Sequence, residues 1–258
     1  MNLFMELLLL LPIIIYAYIE AFVKLFIPVK RKSVSGELVL ITGAGHGIGR
    51  VTAYEFASRQ SRLVLWDINK HGVEETAAEC RRLGATAHAF VVDCSKKEEI
   101  YSAAEKTAKA FLPAMMNNNH GHIVTVASAA GHLATSFMVT YSSSKFAAVG
   151  FHKALTQELS ALGKDGIKTS CLCPVFVNTG FVNNPSMRLM KVLEPEKVAN
   201  KLLEGILTNQ KMIFVPSFLK IHLILEKILP EYALAAVYKL QNIQFDAVVG
   251  YRNRVLSD

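Results

Sequence analysis

Residues 37–49 read ELVLITGAGHGIG, and the fold follows from this stretch. Glu37–Thr42 has the length and composition of a short buried strand. It passes directly into Gly43-Ala-Gly-His-Gly-Ile-Gly49, and an apolar-periodic helix then continues to about Gln60. A glycine-rich turn between strand and helix brings backbone N–H groups and a helix N-terminus onto a pyrophosphate. The flanking strand and helix supply the context that separates such a turn from a chance cluster of glycines. Gly43, Gly47, Ile48 and Gly49 are therefore the candidate phosphate-binding residues.

Working outward, the next strand, Arg62–Trp66, ends in Asp67, 18 residues beyond Gly49. A carboxylate there accepts hydrogen bonds from both adenosine ribose hydroxyls and repels a 2′-phosphate, which points to NAD rather than NADP. The alternative role for Asp67 is a helix N-cap or turn residue. Arg50 reads as a first-turn surface residue. A helix is expected from about Gly72 to Leu83, then a strand over Ala85–Val92 followed by Asp93. Asp93 either supplies an acceptor near the adenine amino group or caps a helix after Ser95.

The second half carries the chemistry. His122–Ala127 reads as a strand ending at Ser128, and Tyr141-Ser-Ser-Ser-Lys145 follows 13 residues later. Tyr and Lys at i and i+4 share one helix face. An ammonium beside a phenol favours the phenolate, which can then take a proton from an alcohol. Ser128 would hold the same oxygen, and the hydride would pass to a nicotinamide. Ile167–Cys173 is a further strand. After it come Val177, placed to meet the carboxamide, and Thr179, placed to meet the phosphates. Residues 180–190 read as a flap over the substrate, Pro195 opens a helix at its first position, and Lys211–Val215 makes a last strand. His132 is either a pocket residue or a surface histidine.

Composition narrows the class. The 258 residues are 52% hydrophobic and 19% charged, and mean hydropathy is +0.30; disorder, a collagen repeat and a coiled coil are excluded. A net charge of +7 suits phosphorylated ligands or an anionic membrane surface. Nucleic acid is not expected, because no basic stripe interleaved with aromatics is present. The four cysteines, at 80, 94, 171 and 173, lack zinc or redox spacing and read as reduced core thiols. No cluster suggests a metal.

Much of the apolar excess sits in residues 3–29. The uninterrupted stretch Leu7–Ile19 is 13 residues, about 20 Å as a helix against a hydrocarbon core of about 30 Å. Pro12 would kink it. Lys30, Arg31 and Lys32 follow, and basic flanks stay on the cytosolic side. Residues 1–32 are thus expected to form a retained anchor, as a half-inserted hairpin or in-plane helix or as a single span. Residues 33–216 form the nucleotide-binding domain. Residues 217–258 are amphipathic and read as a substrate-side or membrane-surface segment, a segment packed on the domain, or an oligomer interface.

Thr42-Gly-x-x-x-Gly-x-Gly49, Asp67, Ser128 and Tyr141-x-x-x-Lys145 together resemble the short-chain dehydrogenase/reductase family, within it the membrane-attached 17-beta-hydroxysteroid dehydrogenases. The stretches LVLWDIN, GHIVTVASAAGH and CLCPVFVNTGF carry the closer likeness. The resemblance implies an α/β, Rossmann-like doubly wound parallel sheet. It also implies NAD-dependent oxidation of lipid alcohols such as steroids or retinol, a homodimer, and attachment to the lipid-droplet or endoplasmic-reticulum surface. The family's Asn-Asn-Ala-Gly loop and its catalytic asparagine are missing. Only 35 positions separate Asp93 from Ser128, roughly 40 fewer than the family pattern. The family's fourth strand, central in the order 3-2-1-4-5-6-7, is therefore expected to be lost, and Asn117, Asn118 and Asn119 lie in a loop that does not replace it. Such a shortened chain would be either a working dehydrogenase or a catalytically impaired surface protein.

Overall fold

The computed structural model describes residues 3–23, 26–27, 29–94, 96, 111, 113–133, 135–188 and 190–246. The chain divides into two compact units, Met1–Ser33 and Val34–Asp258. The first unit contains α1, Leu3–Val23, which runs through Pro12 as one helix. Among the described residues no helix is long and apolar enough to cross a membrane.

The second unit alternates strands and helices. Its elements are β1 (Leu38–Thr42), α2 (Gly47–Ala57), β2 (Arg62–Asp67), α3 (Lys70–Arg82), β3 (Ala87–Val91), β4 (Gly121–Val126), α4 (Val139–Ala161), β5 (Ile167–Pro174), α5 (Pro195–Leu207), β6 (Met212–Val215), α6 (Leu219–Ile228) and α7 (Glu231–Gln241). Most boundaries fall within three residues of those read from the sequence. One reading needs correction: Asn117 and Asn118 end a helical turn rather than occupy a loop. Asn119 follows in a left-handed turn and its Oδ1 accepts from the Gly166 amide at 3.0 Å. The stretch from 97 to 110 lies outside the described residues, as does the helix expected after Ser95.

Among the described residues the strands pair in parallel in two sheets, β1-β2-β3 and β4-β5-β6. The middle strands are the buried ones. In β5 all residues but Lys168 are buried, and Leu63, Leu65 and Trp66 of β2 are in the core. By contrast β1 and β4 are half-exposed along their length. A shared core still joins the sheets: α2 packs on α5, and Leu63 and Leu65 cluster with Leu172, Ile213, Leu203 and Val198. Three of the four cysteines lie in the core and Cys94 is exposed.

Candidate functional site

In a parallel α/β sheet, ligands bind beyond the carboxyl ends of the strands. Every sequence-predicted site residue falls there or on the helices that begin there. The glycine turn follows β1, Asp67 ends β2, Asp93 follows β3, Ser128 follows β4, and Val177 and Thr179 follow β5.

Three side chains hold the glycine turn from outside. Asp67 Oδ2 accepts from the Gly45 amide at 2.8 Å. Thr76 Oγ1 donates to the Ala44 carbonyl at 2.9 Å, and Arg50 Nε donates to the Gly45 carbonyl at 3.0 Å. The turn admits little else. A Cβ on Gly45 would lie 2.8 Å from the Asp67 carboxyl carbon, and one on Gly49 would collide with the Gly43 carbonyl. Gly43 and Gly47 both have positive φ, which favours glycine there. His46 precedes α2 without a side-chain cap bond, so the first amides of α2 are available to an anion. The backbone of Ile48 belongs to this first turn, and its side chain packs against the core.

Asp67 is not the N-cap of α3. That role falls to Asn69, whose side chain accepts from the Gly72 amide, while Asp67 Oδ1 accepts from the Asn69 amide at 2.8 Å. Asp93 pairs with Lys96, 3.7 Å from Oδ2. Thr179 reaches across to the glycine turn: its methyl lies 3.0 Å from where a Cβ on Gly47 would be. Val177 forms a parallel bridge with Leu193. These adenosine-side and phosphate-side residues suit a dinucleotide. The turn is open to an anion, the carboxylate stands at the end of β2, and Thr179 faces the turn from β5's loop.

The chemical half is assembled differently. Tyr141 and Lys145 share one face of α4, with Lys145 Nζ 5.6 Å from the Tyr141 ring centre. The Lys145 ammonium donates to the Val126 carbonyl at 3.2 Å. Burial pushes its pKa down, partly offset by Cys171 and Cys173. Ser128 is buried; its hydroxyl donates to the Pro174 carbonyl at 3.3 Å and accepts from the Ala130 amide at 3.2 Å. No hydrogen bond joins Ser128 to Tyr141 among the described residues. The turn after β4 thus uses the Ser128 hydroxyl for its own closure.

Tyr141 lines a cavity of about 410 Å³ together with Phe137, Met138, Phe181 and Phe245 and the polar Thr140, Asn183 and Asp246. The Tyr141 and Phe181 rings are 5.7 Å apart. The flap is held by the C-terminal segment. Ser186 and Gln244 exchange backbone hydrogen bonds at 2.8 and 2.9 Å, and the Arg188 amide donates to the Gln241 carbonyl at 3.0 Å. Neither Phe245 nor Asp246 is evident as a site residue from sequence, because no local pattern ties residue 245 to residue 137. His132 is half-buried. It packs on Phe214, and its Nε2 lies 3.6 Å from Cys173 Sγ.

Comparison with known proteins accords with this geometry. The family model described as short chain dehydrogenase matches residues 37–111 and 101–188, in two pieces. Rat 17-beta-hydroxysteroid dehydrogenase 13 is 56% identical over 298 aligned positions, covering 98% of this chain and 99% of the rat protein. The estradiol 17-beta-dehydrogenase 11 of Macaca fascicularis is 56% identical over 296, with the same coverage. An alignment of 298 positions against 258 residues leaves at least 40 positions of the rat match without a counterpart here. Among solved structures, a short-chain dehydrogenase/reductase from Burkholderia phymatum in complex with NAD superposes with a TM-score of 0.65 at 24% identity, over 73% of this chain and 92% of that one. A Sphingobium yanoikuyae short-chain dehydrogenase in complex with NADPH gives 0.62 at 21%, over 86% and 96%.

Proposed function

The chain belongs to the short-chain dehydrogenase family, and on that premise we propose that it is an NAD-dependent oxidoreductase of hydrophobic alcohols. The observation that carries the substrate class is the cavity at Tyr141, walled by Phe137, Phe181 and Phe245. A largely apolar wall with the Tyr141 hydroxyl, interrupted by Thr140, Asn183 and Asp246, suits a steroid, retinol or similar lipid alcohol. Gly43, Gly47, Ile48, Gly49 and Thr179 would hold the pyrophosphate, Asp67 the adenosine ribose, Asp93 the adenine edge and Val177 the carboxamide. The nicotinamide supplies the hydride acceptor. Tyr141 takes the alcohol proton onto its phenolic oxygen as the C–H hydride leaves, Lys145 stabilises the phenolate, and Ser128 orients the alcohol. Asp67 favours NAD because a second negative group at the ribose would meet a carboxylate.

The apolar α1 with its basic flank, Lys30–Lys32, supports attachment to a lipid-droplet or endoplasmic-reticulum surface, with the second unit facing the cytosol. A hydrophobic substrate would then be available at the surface where the enzyme sits. The test is a thermal melt of the full chain in mild detergent with NADH or NADPH, followed by turnover of steroid and retinol alcohols. The expected result is stabilisation by NADH at lower concentration than by NADPH. A ligand at 100 times Kd adds about 2.7 kcal/mol. A flat response to both nucleotides overturns the reading.

A second reading has its own support. Lys145 is engaged by Val126, Ser128 by Pro174 and Ala130, and the sheet is divided. A misplacement of about 1 Å can cost 100-fold in rate. On this reading the chain is catalytically impaired and acts as a surface or interaction protein. Nucleotide binding without turnover would favour it.

A further inference from the structure

On α7 one residue is buried, and it is polar: Gln241, at 7% exposure. A buried amide needs partners. The Gln241 side-chain Nε2 lies 3.4 Å from His222 Nδ1 and 3.2 Å from His222 Nε2, on α6. It donates to whichever ring nitrogen carries no hydrogen. The Gln241 carbonyl accepts from the Arg188 amide of the flap at 3.0 Å. The last carbonyls of a helix have no partner within it, so the flap caps α7. Asn242 follows in the left-handed region, with φ 42°, and turns the chain back along the flap.

That turn brings the next residues to the cavity. Gln244 pairs with Ser186 in an antiparallel bridge. The Asp246 amide donates to the Asn183 carbonyl at 3.3 Å, and Asn184 Nδ2 lies 3.2 Å from each Asp246 carboxylate oxygen. Phe181 and Asn183 from one side of this clasp, and Phe245 and Asp246 from the other, line the cavity at Tyr141. The far end of the linkage is fixed. Leu219 is 2% exposed and clusters with Cys171, Cys173 and Phe214, with Leu223 packed against them. The turn of α6 that bears His222 is therefore seated on β5 and β6. Tyr238 gives α7 a second tie, to Glu226 Oε1 at 3.0 Å, but this bond is exposed and water competes for it.

We propose that His222 and Gln241 are positioning residues for the substrate cavity, a role that rests on the cavity reading under Proposed function. The pair fixes the end of α7. Through the Arg188 amide it holds the flap, and so it sets Phe181 against Phe245 to receive a bulky apolar alcohol. Neither residue lines the cavity, so the pair governs which substrate is accepted and not the proton transfer at Tyr141. Preorganised walls favour binding because the ligand need not order them. The nucleotide side, at the ends of β1 and β2, is indifferent to the pair.

The test compares the full chain, in mild detergent, with Gln241→Met, His222→Phe and the double variant. Methionine keeps the length of the side chain and phenylalanine keeps the ring that packs near Tyr238, while each removes the bond. Trypsin cleavage after Arg188 reads the clasp, with cleavage after Arg82 on α3 as the internal control. The estradiol concentration that gives half of its melting-temperature shift reads the cavity, and the NADH shift, measured separately, reads the nucleotide site. Each single variant should speed cleavage after Arg188 at least tenfold and raise the estradiol midpoint at least tenfold. Cleavage after Arg82 and the NADH shift should stay as they are. The double variant should do no more than either single one, because both remove the same bond. Unchanged cleavage after Arg188 overturns the proposal, as do effects that multiply in the double variant or a parallel loss of the NADH shift. Faster cleavage with an unchanged estradiol midpoint overturns the role in substrate selection. Absence of any estradiol shift in the unaltered chain, with Arg188 still protected there, overturns the cavity reading and the selection role with it.

Discussion

Arg50 shows how a single side chain can be misjudged from its place in a helix. As a first-turn residue it reads as solvated, yet its guanidinium holds the Gly45 carbonyl and an ion pair with Glu75 at 3.2 Å. Arg50→Ala should loosen the glycine turn. Charge-assisted hydrogen bonds contribute about 1.5–3 kcal/mol, and solvent reduces that here because the ion pair is part-exposed. Urea unfolding should show a loss near the low end, together with weaker NADH stabilisation. Tyr141 is the opposite case, since its pairing with Lys145 on one helix face was legible at once from their spacing. Tyr141→Phe should lower turnover by about 100-fold or more while leaving the NADH melt shift intact; residual turnover at the original rate would remove Tyr141 from the chemistry. Legibility differs because Tyr141 and Lys145 are one helical turn apart, whereas the contacts of Arg50 with Gly72 and Glu75 cross between helices.

At the scale of elements, the clearest association is between the flap and the C-terminal segment. Sequence separates residues 180–190 from 217–258, but Ser186 with Gln244 and Arg188 with Gln241 hold them together, and Phe176 stacks on Phe245 at 6.1 Å. Deleting residues 241–258 should release the flap. KM for hydrophobic alcohols should then rise while NADH stabilisation persists; loss of both would mean the segment supports the domain as a whole. Packing of α5 on α2 is a different matter. Leu203 is 1% exposed within the core that joins the sheets, and Leu203→Ala should cost about 2–5 kcal/mol, measurable in urea. The start of α5 at Pro195 was legible in the sequence. Its partner α2 was not, because periodicity identifies a buried face and not what covers it.

Across the molecule, two imidazoles, the buried His152 and the half-buried His132, make stability depend on acid. Burial pushes His132 and His152 below the usual histidine value of 6.5, with Lys153 adding to both. The unfolded chain binds protons near 6.5 and the folded chain resists them. The unfolded state therefore holds more protons below that pH, and stability falls as pH drops through 6.5 toward the lower folded values. Melts at pH 5.5 should lie below those at pH 7.5, and the gap should narrow in His152→Gln. The sequence by itself determined the local devices: the strand–glycine turn–helix unit, Asp67 at the end of the next strand, and the Tyr141–Lys145 pair. Each rests on spacings within one element or one turn, where backbone geometry leaves few choices. The short interval from Asp93 to Ser128 was legible there too, and the stretch from 97 to 110 lies outside the described residues. Only the tertiary structure decided the division into two sheets, the turning of Lys145 to Val126, and a cavity built from residues as distant as Phe137 and Phe245. Those outcomes depend on which apolar faces meet and which backbone groups remain to be satisfied, and neither quantity is written in any local pattern of residues.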